Sequence, residues 1–279
     1  MKKFSLFIVL FSCLYTGAIS QQNHLIVGTF NVRYDNAGDT GNLWKDRAPV
    51  AAALIRFHQF DIVGTQEGLI NQINDLQNAL PQYAHYGIGR DDGKDKGEHS
   101  AIFYKKALYT VLDSGDFWLS EHPEKPGFGW DARNNRICSW LKLKRKSDKK
   151  TFFVFNVHYD HRGVTARKES SKLILKKIAE IAGNQPVVFT GDFNGTKESE
   201  WYQEINNSAT LKDALLTAPD PYINNGSFNS FKRDNPATEI IDHIFITKDF
   251  KVKRYGILTD TYHGRFPSDH YPVLVELQF

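Results

Sequence analysis

Apolar residues along the chain gather in short runs rich in Val, Ile, Phe and Tyr, each bounded by turn or charged residues. These runs fall at Leu25–Val32, Asp61–Thr65, Ala101–Tyr104, Tyr109–Leu112, Ile137–Leu143, Phe152–Val157, Val187–Thr190, Ile240–Ile246 and Tyr271–Leu277. That is the pattern of β-strands. Three stretches carry helical spacing instead: Trp44–Phe57, Leu69–Leu80 closed by Pro81, and Thr165–Ala182 closed by Gly183. In the third, Ile174, Ile178 and Ile181 fall at i, i+4 and i+7, one face of a helix. Strands outnumber helices and several follow one another directly. This predicts two packed sheets with helices on their outer faces, not a doubly wound parallel sheet. No repeat, low-complexity tract or linker divides residues 24–279, so one domain over 21–279 is expected.

Polar positions sharpen this picture. Residues Lys142–Lys150 hold six basic residues and one acid. As a hairpin, the stretch turns Leu141 and Leu143 inward and the Lys side chains outward, where lysines on an edge strand would block aggregation. The alternative is a patch for an anionic ligand.

Composition narrows the classes. With 35 Lys+Arg against 32 Asp+Glu the formal net charge is +3, and 41% of residues are hydrophobic. Disorder and a multi-pass membrane protein are excluded, and a clear basic excess for nucleic acid is missing. At the N-terminus Lys2 and Lys3 precede an apolar run from Phe4 to Tyr15 and an Ala18-Ile19-Ser20 segment. This reads as a signal peptide over residues 1–20, removed before Gln21, and the run is too short to span a bilayer. An exported protein without stable membrane insertion is expected, in the periplasm or outside the cell. Lipid attachment at Cys13 is the less favoured variant, because Phe11 fits that signal poorly. Loss of Lys2 and Lys3 would bring the charge to +3 − 2 = +1. Only Cys138 then remains, inside a strand, where it reads as a small buried hydrophobe.

The chemistry sits where apolar runs end. Five clusters stand there: Thr29-Phe30-Asn31, Gly64-Thr65-Gln66-Glu67, Asn156-Val157-His158-Tyr159-Asp160, Gly191-Asp192-Phe193-Asn194, and Ile241-Asp242-His243 with Ser268-Asp269-His270. Singly, each reads as a turn, a helix cap or a solvated charge. Together they gather carboxylates, Asn amides and histidines at comparable strand ends. Carboxylate and amide oxygens suit Mg²⁺, Mn²⁺ or Ca²⁺, and the close His or Cys spacing of zinc sites is missing. An oxygen-ligated metal, an imidazole oriented by a carboxylate and an Asp–Asn pair fit hydrolysis of a phosphate ester.

The ordered set Asn31, Glu67, His158, Asp192-x-Asn194, Asp242 and Asp269-His270 resembles the endonuclease/exonuclease/phosphatase superfamily, the deoxyribonuclease I-like fold. The resemblance covers about residues 24–279. It implies a four-layer α/β/β/α sandwich with two mixed β-sheets. It also implies roles. Glu67 is the principal metal ligand, helped by Asn31 and Asp269. His270 contacts the scissile phosphate, with Asp242 orienting it. Asp192 orients or deprotonates the attacking water, Asn194 donates to a phosphate oxygen, and His158 is a second phosphate-side imidazole. Glu98 sits where nuclease members place the acidic partner of that imidazole. Whether Asp192 or a histidine is the base stays open. Further segments resemble a bacterial branch of the superfamily: Asn31–Asp35, Gly89–Gly93, Phe117–Ser120 and His158–Arg167 running into Ser170. Arg136 and Arg167 are candidate phosphate contacts, or equally surface ion-pair residues, with Asp160 beside them on the substrate side.

The superfamily includes nucleases, deadenylases, inositol-phosphate phosphatases and sphingomyelinases. The small mature charge weighs against nucleic acid, and no run of consecutive aromatics suits insertion into lipid. Aromatic, Asp/Gly-rich loops over Arg33–Trp44 and Phe117–Trp130 suit a closed pocket. A small phosphorylated molecule is therefore the favoured substrate, with a nuclease or a sphingomyelinase-like phospholipase as alternatives.

Overall fold

The computed structural model describes residues 24–234 and 238–279, so the leader read over residues 1–20 lies outside the described residues. Twelve strands and five helices lie along this span, the third to seventh strands and the tenth to twelfth following one another directly. The first sheet holds β1 (His24–Asn31), β2 (Ile62–Gln66), β3 (Tyr83–Tyr86), β4 (Ile102–Lys105), β11 (Lys251–Ile257) and β12 (Val273–Gln278), in the order β11-β12-β1-β2-β4-β3. The second holds β5 (Tyr109–Trp118), β6 (Ile137–Arg145), β7 (Thr151–His158), β8 (Val187–Asp192), β9 (Lys212–Asp213) and β10 (Asp242–Ile246), in the order β5-β6-β7-β8-β10-β9. Each sheet is mixed: β1 runs parallel to β2 and β7 to β8, and the other pairs are antiparallel. The two mixed sheets and flanking helices are the expected four-layer sandwich.

Three apolar clusters account for the layering. Leu25, Val27, Leu141, Val154, Ile244 and Val275 meet between the sheets. Helix α3 (Val164–Ala182) covers the second sheet through Ile174 and Ile178, packed with Phe153, Phe155 and Phe189. Helices α1 (Trp44–Phe57) and α2 (Ile70–Ala79) cover the first sheet, with Ala52, Ile55, Ile73 and Leu76 against Phe30, Val63 and Phe103. Cys138 is fully buried, and burial pushes its thiol well above the usual range, as befits an inert core residue.

The basic hairpin forms, with β6 and β7 pairing antiparallel around the turn at residues 146–150. Yet β6 lies between β5 and β7, so its lysines guard no edge; the sheet edge on this side is β5. Lys142 instead lies over the ring of Phe153, and Arg145 pairs with Asp148 in the turn.

The two parallel pairs set the function. Because β1 and β2 run together, and β12 runs against β1, the C-terminal ends of β1 and β2 and the N-terminal approach to β12 share one edge. The ends of β7 and β8 and the starts of β6 and β10 share the corresponding edge of the second sheet. All five polar clusters therefore emerge at one end of the sandwich.

Candidate active site

At this end the clusters enclose a cavity of about 520 Å³. The first sheet supplies Glu67 after β2 and Asp269 and His270 before β12. The second supplies Arg136 before β6, His158 at the end of β7, and Asp192 and Asn194 at the end of β8. Glu98 reaches in from the loop between β3 and β4. Asn31 and Asp242 do not line the cavity but bond to groups that do.

Asn31 crosses between the sheets. Its amide nitrogen donates to Glu67 Oε1 and to Asp192 Oδ2, 3.0 Å each, while its oxygen accepts from the Arg33 backbone. Glu67 is further held by the backbone N–H of Tyr34 at 3.0 Å. Both Arg33 and Glu67 take positive φ, 56° and 65°, so each strand end breaks sharply as it enters the site. Arg47, a fully buried guanidinium in α1, donates to the carbonyls of Val32, Arg33, Asn42 and Pro267. It thereby ties the loop after β1 to the loop that carries Asp269.

His270 Nδ1 and Asp242 Oδ2 lie 2.9 Å apart, and Asp192 Oδ2 lies 3.7 Å from His270 Nε2. Burial alone would lower the imidazole, but Asp242 and Asp192 outweigh it and hold its pKa well above the ordinary value. His270 is therefore an imidazolium at neutral pH, backed by the Phe228 ring at 4.9 Å between centroids.

His158 has the opposite state. Burial and then the neighbouring Arg136 lower its pKa to about 3, so it is neutral. Its Nε2 lies 3.1 Å from the Asn194 amide nitrogen, which also donates to the Tyr159 carbonyl at 3.0 Å. That donation fixes the Nδ1–H tautomer. Glu98 lies 3.7 Å from Nδ1, beyond a hydrogen bond, and is bound by Arg90, with Arg136 at 3.8 Å. The amide protons of Asn194 are thus directed to His158 and the backbone, not to the cavity. Its turn is braced from behind: the buried His243 ring lies 3.0 Å from the Gly195 carbonyl and 3.0 Å from Asp213.

Two expected substrate-side residues stand behind the wall. Asp160 holds Arg136 at 3.5 Å and accepts from the backbone of Arg162, Gly163 and Asn134. Burial would raise its pKa, but the backbone donors and Arg136 bring it below the usual carboxylate range. Arg167 donates to the Asp160 carbonyl and lies over the Trp201 ring, 4.3 Å from its centroid. Neither lines the cavity. Arg33, Tyr34, Arg90, Asn134, His161 and Phe228 do, though none was singled out as a site residue from the sequence. Arg33, Tyr34, Arg90 and His161 fall in segments that carried the resemblance; Asn134 and Phe228 gave no signal of their own.

Asp192, Asp242 and His270, all buried, offer ligand atoms within 4.8 Å of one another and form a group that could hold a metal ion. Asp242 holds His270 Nδ1, which leaves Nε2 as the ring nitrogen of this group that could ligate, once it has shed its proton. The oxygens of Glu67 and Asp269 offer a second, harder donor pair. Burial and the proximity of Glu67 push the Asp269 carboxyl up to about 6, against the opposing pull of His270. Arg33 approaches both, but only to 3.8 and 3.9 Å. Crowded, under-compensated carboxylates of this kind fit a hard divalent cation.

Residues 28–270 match the Endonuclease/Exonuclease/phosphatase family. A mannosyl-6-phosphatase of Bacteroides thetaiotaomicron is 45% identical and superposes with a TM-score of 0.89, over 91% of this chain and 100% of that one. An endonuclease/exonuclease/phosphatase protein of Bacteroides vulgatus is 42% identical with a TM-score of 0.89, over 92% and 99%. The human nocturnin catalytic domain, with a bound sulfate, shares the fold at 20% identity and a TM-score of 0.72, over 92% and 93%.

Proposed function

The chain belongs to the endonuclease/exonuclease/phosphatase family and is an enzyme of its phosphoesterase class, and we propose that it hydrolyses the phosphate monoester of a small sugar, with Mg²⁺ as cofactor. One observation carries this reading. An imidazolium held by Asp242 lines, together with the Glu67 and Asp269 carboxylates, one cavity of about 520 Å³, within the range of small-ligand sites at roughly 300–1,000 Å³.

Glu67 and Asp269 would hold the metal, with Asn31 orienting Glu67. When bound, the ion would draw charge from the phosphate and lower the pKa of water. Asp192, which accepts from Asn31 at 3.0 Å, would orient the attacking water and take its proton. His270 would donate from Nε2 to a phosphate oxygen as charge builds in the transition state, while Asp242 keeps Nδ1 protonated. His158, neutral, and Arg136 supply further donors. The buried atoms His158 Nδ1, Arg136 Nη1 and Arg90 Nε have no partner, which suits a ligand rich in oxygen acceptors. Arg90 is tied to Glu98, and such an Arg–carboxylate pair can donate to one sugar hydroxyl and accept from its neighbour.

The 45% identity to a mannosyl-6-phosphatase supports a sugar phosphate over a polynucleotide. So does the place of the basic hairpin. It lies at the far end of nine-residue β6, roughly 26 Å from the cavity at the rise of a strand. We also propose export, on the strength of the residue 1–20 leader, with the enzyme domain following it.

A panel of substrates tests the reading. Purified protein with Mg²⁺ should release phosphate from hexose 6-phosphates at least tenfold faster than it cleaves bis-p-nitrophenyl phosphate, plasmid DNA or sphingomyelin. Faster cleavage of a diester would overturn the monoester assignment.

A further inference from the structure

Beneath the catalytic residues lies a second polar layer. Thr29, Gln66, Asn156 and Thr190 precede Asn31, Glu67, His158 and Asp192 by one or two positions, and all four are fully buried between the sheets. Gln66 Nε2 donates to Thr29 Oγ1 at 3.0 Å and, across the sheets, to Asn156 Oδ1 at 2.7 Å. Asn156 Nδ2 donates across the sheets to the carbonyls of Thr65 at 2.8 Å and Ala101 at 3.1 Å. Thr190 Oγ1 donates to Asn156 Oδ1 at 3.0 Å. Asn156 thus uses both amide protons and both lone pairs of its oxygen. Gly64 fits this layer because a Cβ there would lie 2.4 Å from Asn156 Oδ1 and from Thr190 Oγ1.

An apolar layer would let the sheets settle at about 10 Å by side-chain volume, with slack of a methyl group or more. Hydrogen bonds with fixed lengths remove that slack. The precision matters here, because Glu67 and Asp269 belong to the first sheet while His158, Asp192 and Asn194 belong to the second. We propose that this buried amide–hydroxyl layer is a spacer that sets the two halves of the active site against each other, with Asn156 and Gln66 as positioning residues. The inference rests on the phosphoesterase reading for its catalytic consequence, not for its structural one.

The layer makes a separable prediction. Metal ligands that share one sheet keep their geometry when the spacing changes, whereas phosphate must touch both sheets. Asn156→Leu should therefore bind Mn²⁺, measured by calorimetry, within threefold of wild type, yet bind inorganic phosphate at least tenfold more weakly. Its kcat should fall about 100-fold, the scale of an ångström-sized misplacement. Thr190→Ser should behave as wild type, and Thr190→Val should lose several-fold. Leu141→Ala, a cavity in the apolar part of the same inter-sheet core, controls for stability: it should lower Tm and leave kcat within threefold. If Asn156→Leu does not fold, Gln66→Met and the Thr190 pair carry the same comparison. Equal loss of Mn²⁺ and phosphate affinity, unchanged phosphate affinity, or a kcat loss in the Leu141→Ala control as large as in Asn156→Leu would overturn the proposal. If wild type cleaves no phosphate ester, the functional reading fails, and the two binding measurements still decide the spacer.

Discussion

The turn that presents Asn194 depends on a buried ion pair, and removing it has a worked consequence. His243 is 1% exposed and Asp213 is fully buried. Asp213 receives His243 Nδ1 at 3.0 Å and the Tyr202 hydroxyl at 2.9 Å, while Nε2 reaches the Gly195 carbonyl at 3.0 Å. Both ring nitrogens face acceptors, so the ring is an imidazolium. Burial would lower its pKa, but Asp213 and the Gly195 carbonyl raise it above the ordinary value. A histidine whose folded pKa lies above its unfolded one, about 6.5, stabilises fully below that unfolded value, and the contribution is lost as pH rises through the folded pKa.

Asp213→Asn removes the charge that holds this state. Breaking one partner of a buried pair costs about 3–5 kcal/mol. His243 can shed its proton, which limits the loss to about 3 kcal/mol near pH 6. In a fold of this size that lowers Tm by about 6–12 °C. With Asp213 gone, burial favours the neutral ring, so the variant's deficit should shrink as pH rises through the wild-type ring's folded pKa. Differential scanning calorimetry of both proteins across this range measures it. A deficit that is flat, or that widens with pH, would refute the imidazolium assignment.

Other substitutions have equally definite outcomes. Glu67→Ala should lower phosphate-ester turnover by at least about 1,000-fold, the larger end of losing a single electrostatic contact, with an unchanged melting curve; near-wild-type turnover would remove Glu67 from the mechanism. Gly64→Ala should lower Tm by several degrees, since its Cβ meets two polar oxygens at 2.4 Å and such overpacking costs about 1–3 kcal/mol; calorimetry decides. N-terminal sequencing of the protein recovered from outside the cytoplasm should begin near Gln21, and a start at Met1 would end the export proposal.

Most of the strands were legible because their side chains alternate or run apolar, and the site was legible because its polar residues stop those runs. Asn31, Glu67, His158 and Asp192 each stand at or just past a strand end for that reason. The failures have physical causes. Strand β11 was missed because a bulge between Val252 and Arg254 breaks its period-2 alternation, and β3 because it is a short, half-buried edge. Arg47 looks like a solvated charge in the first turn of α1, yet it is fully buried against four backbone carbonyls. Nothing local in the sequence signals carbonyl partners as distant as Pro267. Arg167 and Asp160 lie in the right segment but face inward, because α3 turns Arg167 onto Trp201. Polar residues inside apolar runs, such as Asn156 and Thr190, were the unused signal for the layer beneath the site.

The gathered carboxylates and the His270 imidazolium would form a metal-assisted phosphoesterase site. The rate of phosphate release from mannose 6-phosphate, followed as Mg²⁺ is returned to chelator-stripped protein, tests it most directly. The rate should rise from background and saturate. A rate indifferent to chelation and to Mg²⁺ would contradict the claim.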